Sequence, residues 1–285
     1  MINQVQIGSC TWTDVESPTP EEVNDLNRRF YLDTYITEEL PASIERSKIR
    51  FFDAYTYIVL QFPNIEDSDN QSKKHELDFI IGKNFLISAR YEHNYIIPNI
   101  GRDAVANPKE YGDPIALFFH IVFKQYREIG KQLEKLDTMI EDAEDEIFTI
   151  QKKSTVEKIS TINRRILDFK RAMRFHADIW KQITEVSNSQ FYIRAQTEYL
   201  KLWNALEHYQ EITHSLQTTN DSLISYRTNE VMKLLTVLNF IILPISLIST
   251  VLGLVNTSIS RIFIVIAFII ISFTIYSLFK KRTWI

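Results

Sequence analysis

Residues 234–256 read "LLTVLNFIILPISLISTVLGLVN" and carry no charged side chain. A helix of ~20 apolar residues crosses the hydrocarbon of a bilayer, so this run is long enough to span one. A second such run, "IFIVIAFIIISFTIYSLF" (262–279), follows, and only Ser272, Thr274, Tyr276 and Ser277 interrupt its apolarity. Between the two lie only "NTSIS" (256–260) and Arg261. Two buried core helices would rarely be so long and so free of charge. Arg227 and Lys233 precede the first run, and Lys280, Lys281 and Arg282 follow the second. That basic excess places both ends of the hairpin in the cytoplasm, with Trp284 suited to the interface. The expectation is a multi-pass protein of the cell (inner) membrane, with spans at about 234–255 and 262–279 and both termini cytoplasmic.

The rest of the chain sets the body attached to this hairpin. The 285 residues are 45% hydrophobic and 24% charged with a formal net charge of −4, a balance that argues against nucleic acid as a partner. Cys10 is the sole cysteine, which excludes an internal disulfide framework and fits a reducing compartment. No cleaved targeting segment is visible in "MINQVQIGSCTWTDVESP".

Up to residue 112 the pattern is mixed. "FFDAYTYIVLQFPNI" (51–65) and "HELDFIIGKNFLISARYE" (75–92) carry β-branched and aromatic runs broken by turn residues, which predicts strands. Pro18 or Thr19 ahead of Glu21 and Glu22 predicts a helix start. The segment contains no phosphate loop, His/Cys cluster or nucleophile elbow, so no enzyme chemistry is expected. Beyond Gly130 neither Gly nor Pro recurs until Pro244. Helices are expected at about 113–151, 155–186 and from about 190 onward. The last, if continuous to Gly253, would be ~95 Å long. Its apolar stripe Leu202, Leu206, Tyr209, Ile212, Leu216, Leu223 needs partners, as a stalk in a bundle or oligomer has. The organisation expected is an α+β cytosolic domain (1–112), a helical stalk region (113–228) and a transmembrane domain (229–285).

"EDAEDE" (141–146) could gather cations near a pore entrance, but reads first as a solvated helix face. His120, His176, His208 and His214 read as surface or packing residues, not ligands.

Placed on a helix and followed in steps of three and four, the first span gives Asn229, Met232, Thr236, Asn239, Leu243, Ser246, Thr250 and Gly253. Such steps hold one seam toward partners in a bundle. Polar groups in hydrocarbon are costly unless they face protein or water. The seam therefore either bonds between helices, with Ser and Thr also able to bond their own backbone, or lines a wet path. One hairpin cannot enclose a pore, whereas several copies can set one seam each around an axis. Uncharged oxygens suit a cation that keeps much of its water, as Mg²⁺ does, and Leu243 and Met232 would supply apolar rings able to close by dewetting.

These residues also resemble a known family. "TNEVMKLLTVLNFIILPISLI" (228–248) is similar to the inner helix of the CorA family of divalent-cation channels, with further likeness in "WTDVESPTPEE" (12–22), "FFDAYTYIVLQFP" (51–63), "KNFLISAR" (83–90) and "FKKRTWI" (279–285). The resemblance implies a funnel-like homopentamer with an αβα cytosolic domain, a stalk helix entering the membrane as the pore-lining span, and an outer ring of second spans. By motif it assigns Asn229, Met232, Leu243 and Ser246 to the pore. Family members that conduct magnesium carry Gly-Met-Asn at the outer mouth, where this chain has Gly253, Leu254, Val255 and then Asn256. The mouth here would draw on Gly253, Asn256 and Thr257. Near the start of the stalk helix, where magnesium-gated members carry a carboxylate, this chain has Arg194.

Three readings follow. The first is a homo-oligomeric channel or carrier for divalent cations, Mg²⁺ with Co²⁺, Ni²⁺ or Zn²⁺ as further candidates, whose partners are its own copies, the ion and membrane lipid. The ion is cargo and no permanent cofactor or fixed metal site is assigned. The second is a non-conducting or regulatory scaffold of the same architecture. The third is a zinc transporter of the same superfamily.

Overall fold

Gly8, at φ +57°, turns the chain between two strands, β1 (Ile2–Ile7) and β2 (Cys10–Glu16), which pair antiparallel from Ile2 opposite Val15 to Ile7 opposite Cys10. This hairpin opens the computed structural model of the protein. The described residues are 1–43, 46–63, 74–92, 94–149, 153–184 and 190–254, with the single positions 266, 269, 270 and 273. The chain divides into two compact units, Met1–Gln217 and Thr218–Ile285.

In the first unit β1 and β2 join β3 (Lys48–Phe51), β4 (Tyr55–Pro63), β5 (Lys74–Gly82) and β6 (Phe85–Arg90) in one sheet of order β1-β2-β6-β5-β4-β3. β2 and β6 run parallel, and the other neighbours antiparallel. Helix α1 (Pro20–Phe30) starts where the sequence predicts: Thr19 accepts from the Glu22 amide, and the Glu22 side chain accepts from the Thr19 amide. With α2 (Thr34–Glu39) it covers one sheet face, where Val15, Leu26, Ile36, Leu40, Tyr57, Val59, Ile80 and Ile87 form a buried cluster. α3 (Ile96–Ala106) brings Gly101 against Trp12 on the opposite face, and α4 (Pro108–Tyr111) follows. α5 (Pro114–Thr149) sets the Phe118 ring 5.0 Å from Phe79, edge-on. Helices on both faces of a sheet give the αβα layering expected.

α6 (Lys153–Met173) and α7 (His176–Thr184) replace the single helix expected at 155–186. The chain turns at Arg174–Phe175, and the His176 side chain is fully buried against Phe62 and Tyr126. No Gly or Pro marks that break, because its cause is this tertiary contact.

α8 (Gln190–Leu254) is continuous and contains Pro244. Of the expected apolar stripe, Leu202, Leu206 and Leu216 are buried and Tyr209, Ile212 and Leu223 are half-buried, while Tyr192, Ala195 and Tyr199 are buried ahead of it. In the second unit that pattern ends. Among the described residues α8 holds the one segment, within Gln190–Leu247, that is long and apolar enough to cross a membrane. The second expected span lies outside the described residues except for Ile266, Ile269, Ile270 and Phe273, which are helical and exposed.

Candidate functional site

The helix from residue 229 onward carries the expected seam on one line. Asn229, Met232, Asn239, Leu243, Ser246 and Thr250 are exposed, and Thr236 is half-buried. Gly253 lies in the last turn of α8, while Asn256 and Thr257 lie outside the described residues. The apolar positions around the seam are exposed too: Leu234 is 65% accessible, Ile241 53% and Ile245 57%. None of the apolar window of this helix is buried by the chain itself. An apolar surface of this extent requires lipid or protein from outside the chain.

The hydroxyls on the seam have a defined polarity. Thr236 Oγ1 donates to the Met232 carbonyl at 2.7 Å, and Thr250 Oγ1 donates to the Ser246 carbonyl at 3.0 Å. Each hydroxyl has one hydrogen, so what remains for an outside partner is lone pairs. Back-bonding and lining a wet path are thus compatible, and the first prepares acceptors for the second.

The same steps continue toward the N-terminus through Ser225, Ser222 and Thr218, all exposed, with Ser222 Oγ donating to the Thr218 carbonyl at 2.9 Å. The seam expected from the sequence begins at Asn229. The recurrence of small hydroxyl residues at three- and four-residue spacing was the signal that would have extended it.

Among the described residues no three His, Cys, Asp or Glu side chains are placed to hold a metal ion. Cys10 is buried, and burial pushes its thiol up to about 11. His120 and His176 are buried, whereas His208 and His214 are exposed. His120 is packed against Tyr111 and Phe191. Arg194 lies with its guanidinium 4.3 Å from the centre of the Phe123 ring on α5, a cation–π contact. In "EDAEDE", Glu141, Asp142, Glu144 and Asp145 are exposed, while Glu146 pairs with Lys158 on α6. Most of that run is the solvated face the sequence suggested.

A layered α/β unit is followed by a helix whose second half is apolar, uncovered and long enough to cross a membrane. Residues 8–281 match the family described as CorA-like Mg²⁺ transporter protein, and the chain belongs to that family, whose members are transporters rather than enzymes. It is 20% identical over 260 residues to the cobalt/magnesium transport protein CorA of Thermotoga maritima, across 86% of this chain and 72% of the relative. Its fold is similar to the complete structure of the CorA magnesium transporter from Methanocaldococcus jannaschii, with a TM-score of 0.78 at 17% identity over 97% of this chain and 92% of that one. It is also similar to the full-length CmaX protein, with a TM-score of 0.80 at 15% identity over 95% and 88% of the two chains. The chain is a membrane transport protein for metal ions.

Proposed function

We propose that several copies of this chain surround a central pore, and that divalent cations, Mg²⁺ foremost, cross the membrane through it. One observation carries this reading. Thr236 and Thr250 give their only hydroxyl hydrogens to their own helix, so their outward lone pairs join Asn239 and Ser246 on a single line of α8. A ring of such lines offers oxygens to the water around an ion without a fixed charge that would hold it.

In this reading residues 1–112 and 113–228 form the cytosolic domain and stalk region, and 229–285 the membrane part, with 262–279 as an outer span. The oligomer is a homopentamer, as the family resemblance implies. Asn229, Met232, Thr236, Asn239, Leu243, Ser246 and Thr250 face the axis, and Leu243 and Met232 supply the apolar constrictions. Gly253, Asn256 and Thr257 form the mouth. Both termini are cytoplasmic. A membrane potential contributes ~2.3 kcal/mol per charge per 100 mV, twice that for a divalent ion, and drives entry toward the negative side.

The test is uptake into proteoliposomes of Mg²⁺, Co²⁺, Ni²⁺ and Zn²⁺, each with and without a pH gradient. Saturable Mg²⁺ uptake supports the proposal. Flux confined to Zn²⁺ and coupled to the gradient replaces it with a zinc transporter. No flux of any ion leaves the scaffold reading.

A further inference from the structure

On the sheet face covered by α2, a short chain of hydrogen bonds can be balanced donor by donor. Tyr57 Oη lies 2.8 Å from Asp78 Oδ2, and Tyr91 Oη lies 2.9 Å from the same oxygen. Tyr91 Oη also lies 3.0 Å from the carbonyl oxygen of Leu40, the residue that caps the C-terminus of α2. A carbonyl oxygen only accepts, and a tyrosine has one hydroxyl hydrogen to give. When Tyr91 gives that hydrogen to Leu40, its contact with Asp78 is a hydrogen bond only if Asp78 donates. With a proton on Oδ2 every contact is satisfied: Tyr57 donates to Asp78, Asp78 to Tyr91, and Tyr91 to Leu40. With Asp78 ionised, one hydrogen on Tyr91 must serve two acceptors, and one contact becomes oxygen against oxygen.

The surroundings favour the neutral form. Asp78 is 1% exposed, and its Oδ1 has no hydrogen-bond partner. Leaving an ionised carboxylate buried with an unpaired oxygen costs far more than leaving a neutral acid there. On its own strand Glu76 shares the face, 3% exposed, and accepts from Ser43 Oγ at 3.1 Å and Gln61 Nε2 at 3.0 Å. From β3 comes Lys48, whose ammonium donates to Glu39 and Tyr35 of α2, both at 2.6 Å. β4 supplies Tyr57, and Tyr91 follows β6. Lys48 thus already has a carboxylate partner, and Glu76 adds negative charge beside Asp78. Burial first, and then the Glu76 charge, push the Asp78 carboxyl up to about 8.

We propose that Asp78 is a proton-binding site of the first unit, its Oδ2 protonated at neutral pH, and that loss of this proton unlatches the end of α2 from the sheet. On ionisation the proton leaves to water, the Tyr91 hydrogen turns to Asp78, and the Leu40 carbonyl loses its donor. The unit is tighter on the acid side and looser on the alkaline side. Between about pH 4, where a free aspartate ionises, and about pH 8 the folded chain holds a proton that the unfolded chain has released. The unfolding constant therefore rises about tenfold per pH unit across that window from this group alone.

Infrared spectroscopy of the full-length protein reads the proton directly, because a protonated carboxyl has a C=O stretch separate from those of carboxylates. At about pH 6, where ordinary carboxyls are ionised, the wild type is expected to show this band and to lose it in alkali. Asp78→Asn should abolish the band and Glu76→Gln should keep it. A wild type without the band, or a band that survives Asp78→Asn or vanishes with Glu76→Gln, overturns the assignment. Should Asp78→Asn not fold, Tyr91→Phe decides. It removes the acceptor of the Asp78 proton and should shift the band to higher wavenumber, whereas an unshifted band contradicts the relay.

Discussion

Tyr126 Oη lies 2.8 Å from Nδ1 of His176 in the interior of the first unit, and the Trp180 indole donates to the same hydroxyl at 3.1 Å. Tyr126 accepts from Trp180 and keeps its own hydrogen available for Nδ1. Burial without a counter-charge favours the neutral imidazole, the form whose Nδ1 can accept that hydrogen. Burial holds His176 down to about 3.

An acid limb in stability follows. The folded state refuses a proton that the unfolded histidine takes up below about pH 6.5, so this stabilisation is complete above that pH and is lost toward about pH 3 at ~1.4 kcal/mol per pH unit. Asp78 has the opposite sign over an overlapping range. In the wild type the two slopes should nearly cancel between about pH 4 and pH 6.5. Urea unfolding of His176→Phe should expose the Asp78 slope, with stability falling as pH rises, and Asp78→Asn should expose the His176 slope. Variants that change stability without changing either slope would refute both assignments.

Arg90 links three strand positions. Its Nε donates to Asp14 at 3.2 Å and its Nη2 to Glu16 at 3.0 Å, with the Arg90 and Asp14 side chains 8% and 10% exposed. Arg90→Ala leaves Asp14 buried without its counter-charge and should cost ~3–5 kcal/mol. Adding Asp14→Asn should recover part of that loss. A double variant no more stable than Arg90→Ala would show that lost packing, not lost charge pairing, sets the cost.

The β1–β2 turn depends on Gly8, whose φ of +57° disfavours any residue with a Cβ. Gly8→Ala should destabilise the first unit by ~1–2 kcal/mol, read as a lower midpoint of thermal unfolding. An unchanged midpoint would mean that the turn relaxes without strain.

Within the proposed pore, Asn239→Leu removes the amide midway along the seam. Divalent flux in proteoliposomes should fall at least tenfold, with the oligomer unchanged on size-exclusion chromatography. Unaltered flux would remove Asn239 from the conduit. At the outer end, Leu254→Met with Val255→Asn restores the sequence carried by magnesium-conducting members and should raise Mg²⁺ uptake.

Local signals were legible in the sequence because local chemistry sets them. The Thr19–Glu22 capping box, the short connection between β5 and β6 and the charge-free run of α8 each follow from side chains within a few positions. The β1–β2 hairpin was not read as strands, since Asn3, Gln4 and Gln6 dilute its alternation. Its place in the sheet rests on the parallel pairing of β2 with β6, Thr11 opposite Phe85, which no local window contains. The break before His176 likewise reports a long-range contact. For the seam, the period along α8 was legible, but what faces it was not. Its neighbours in the proposed assembly come from other copies, and its mouth residues Asn256 and Thr257 lie outside the described residues.

Thiol labelling of single-cysteine substitutions tests the seam most directly, since Cys10 is buried and unreactive. In reconstituted protein, Asn239→Cys and Ser246→Cys should react with a membrane-impermeant, water-soluble thiol reagent and lose divalent flux as they do. Ile241→Cys and Ile245→Cys, on the opposite side of the same helix, should remain unmodified. Labelling at Ile241 and Ile245 with Asn239 and Ser246 protected would contradict a water-filled path along this face.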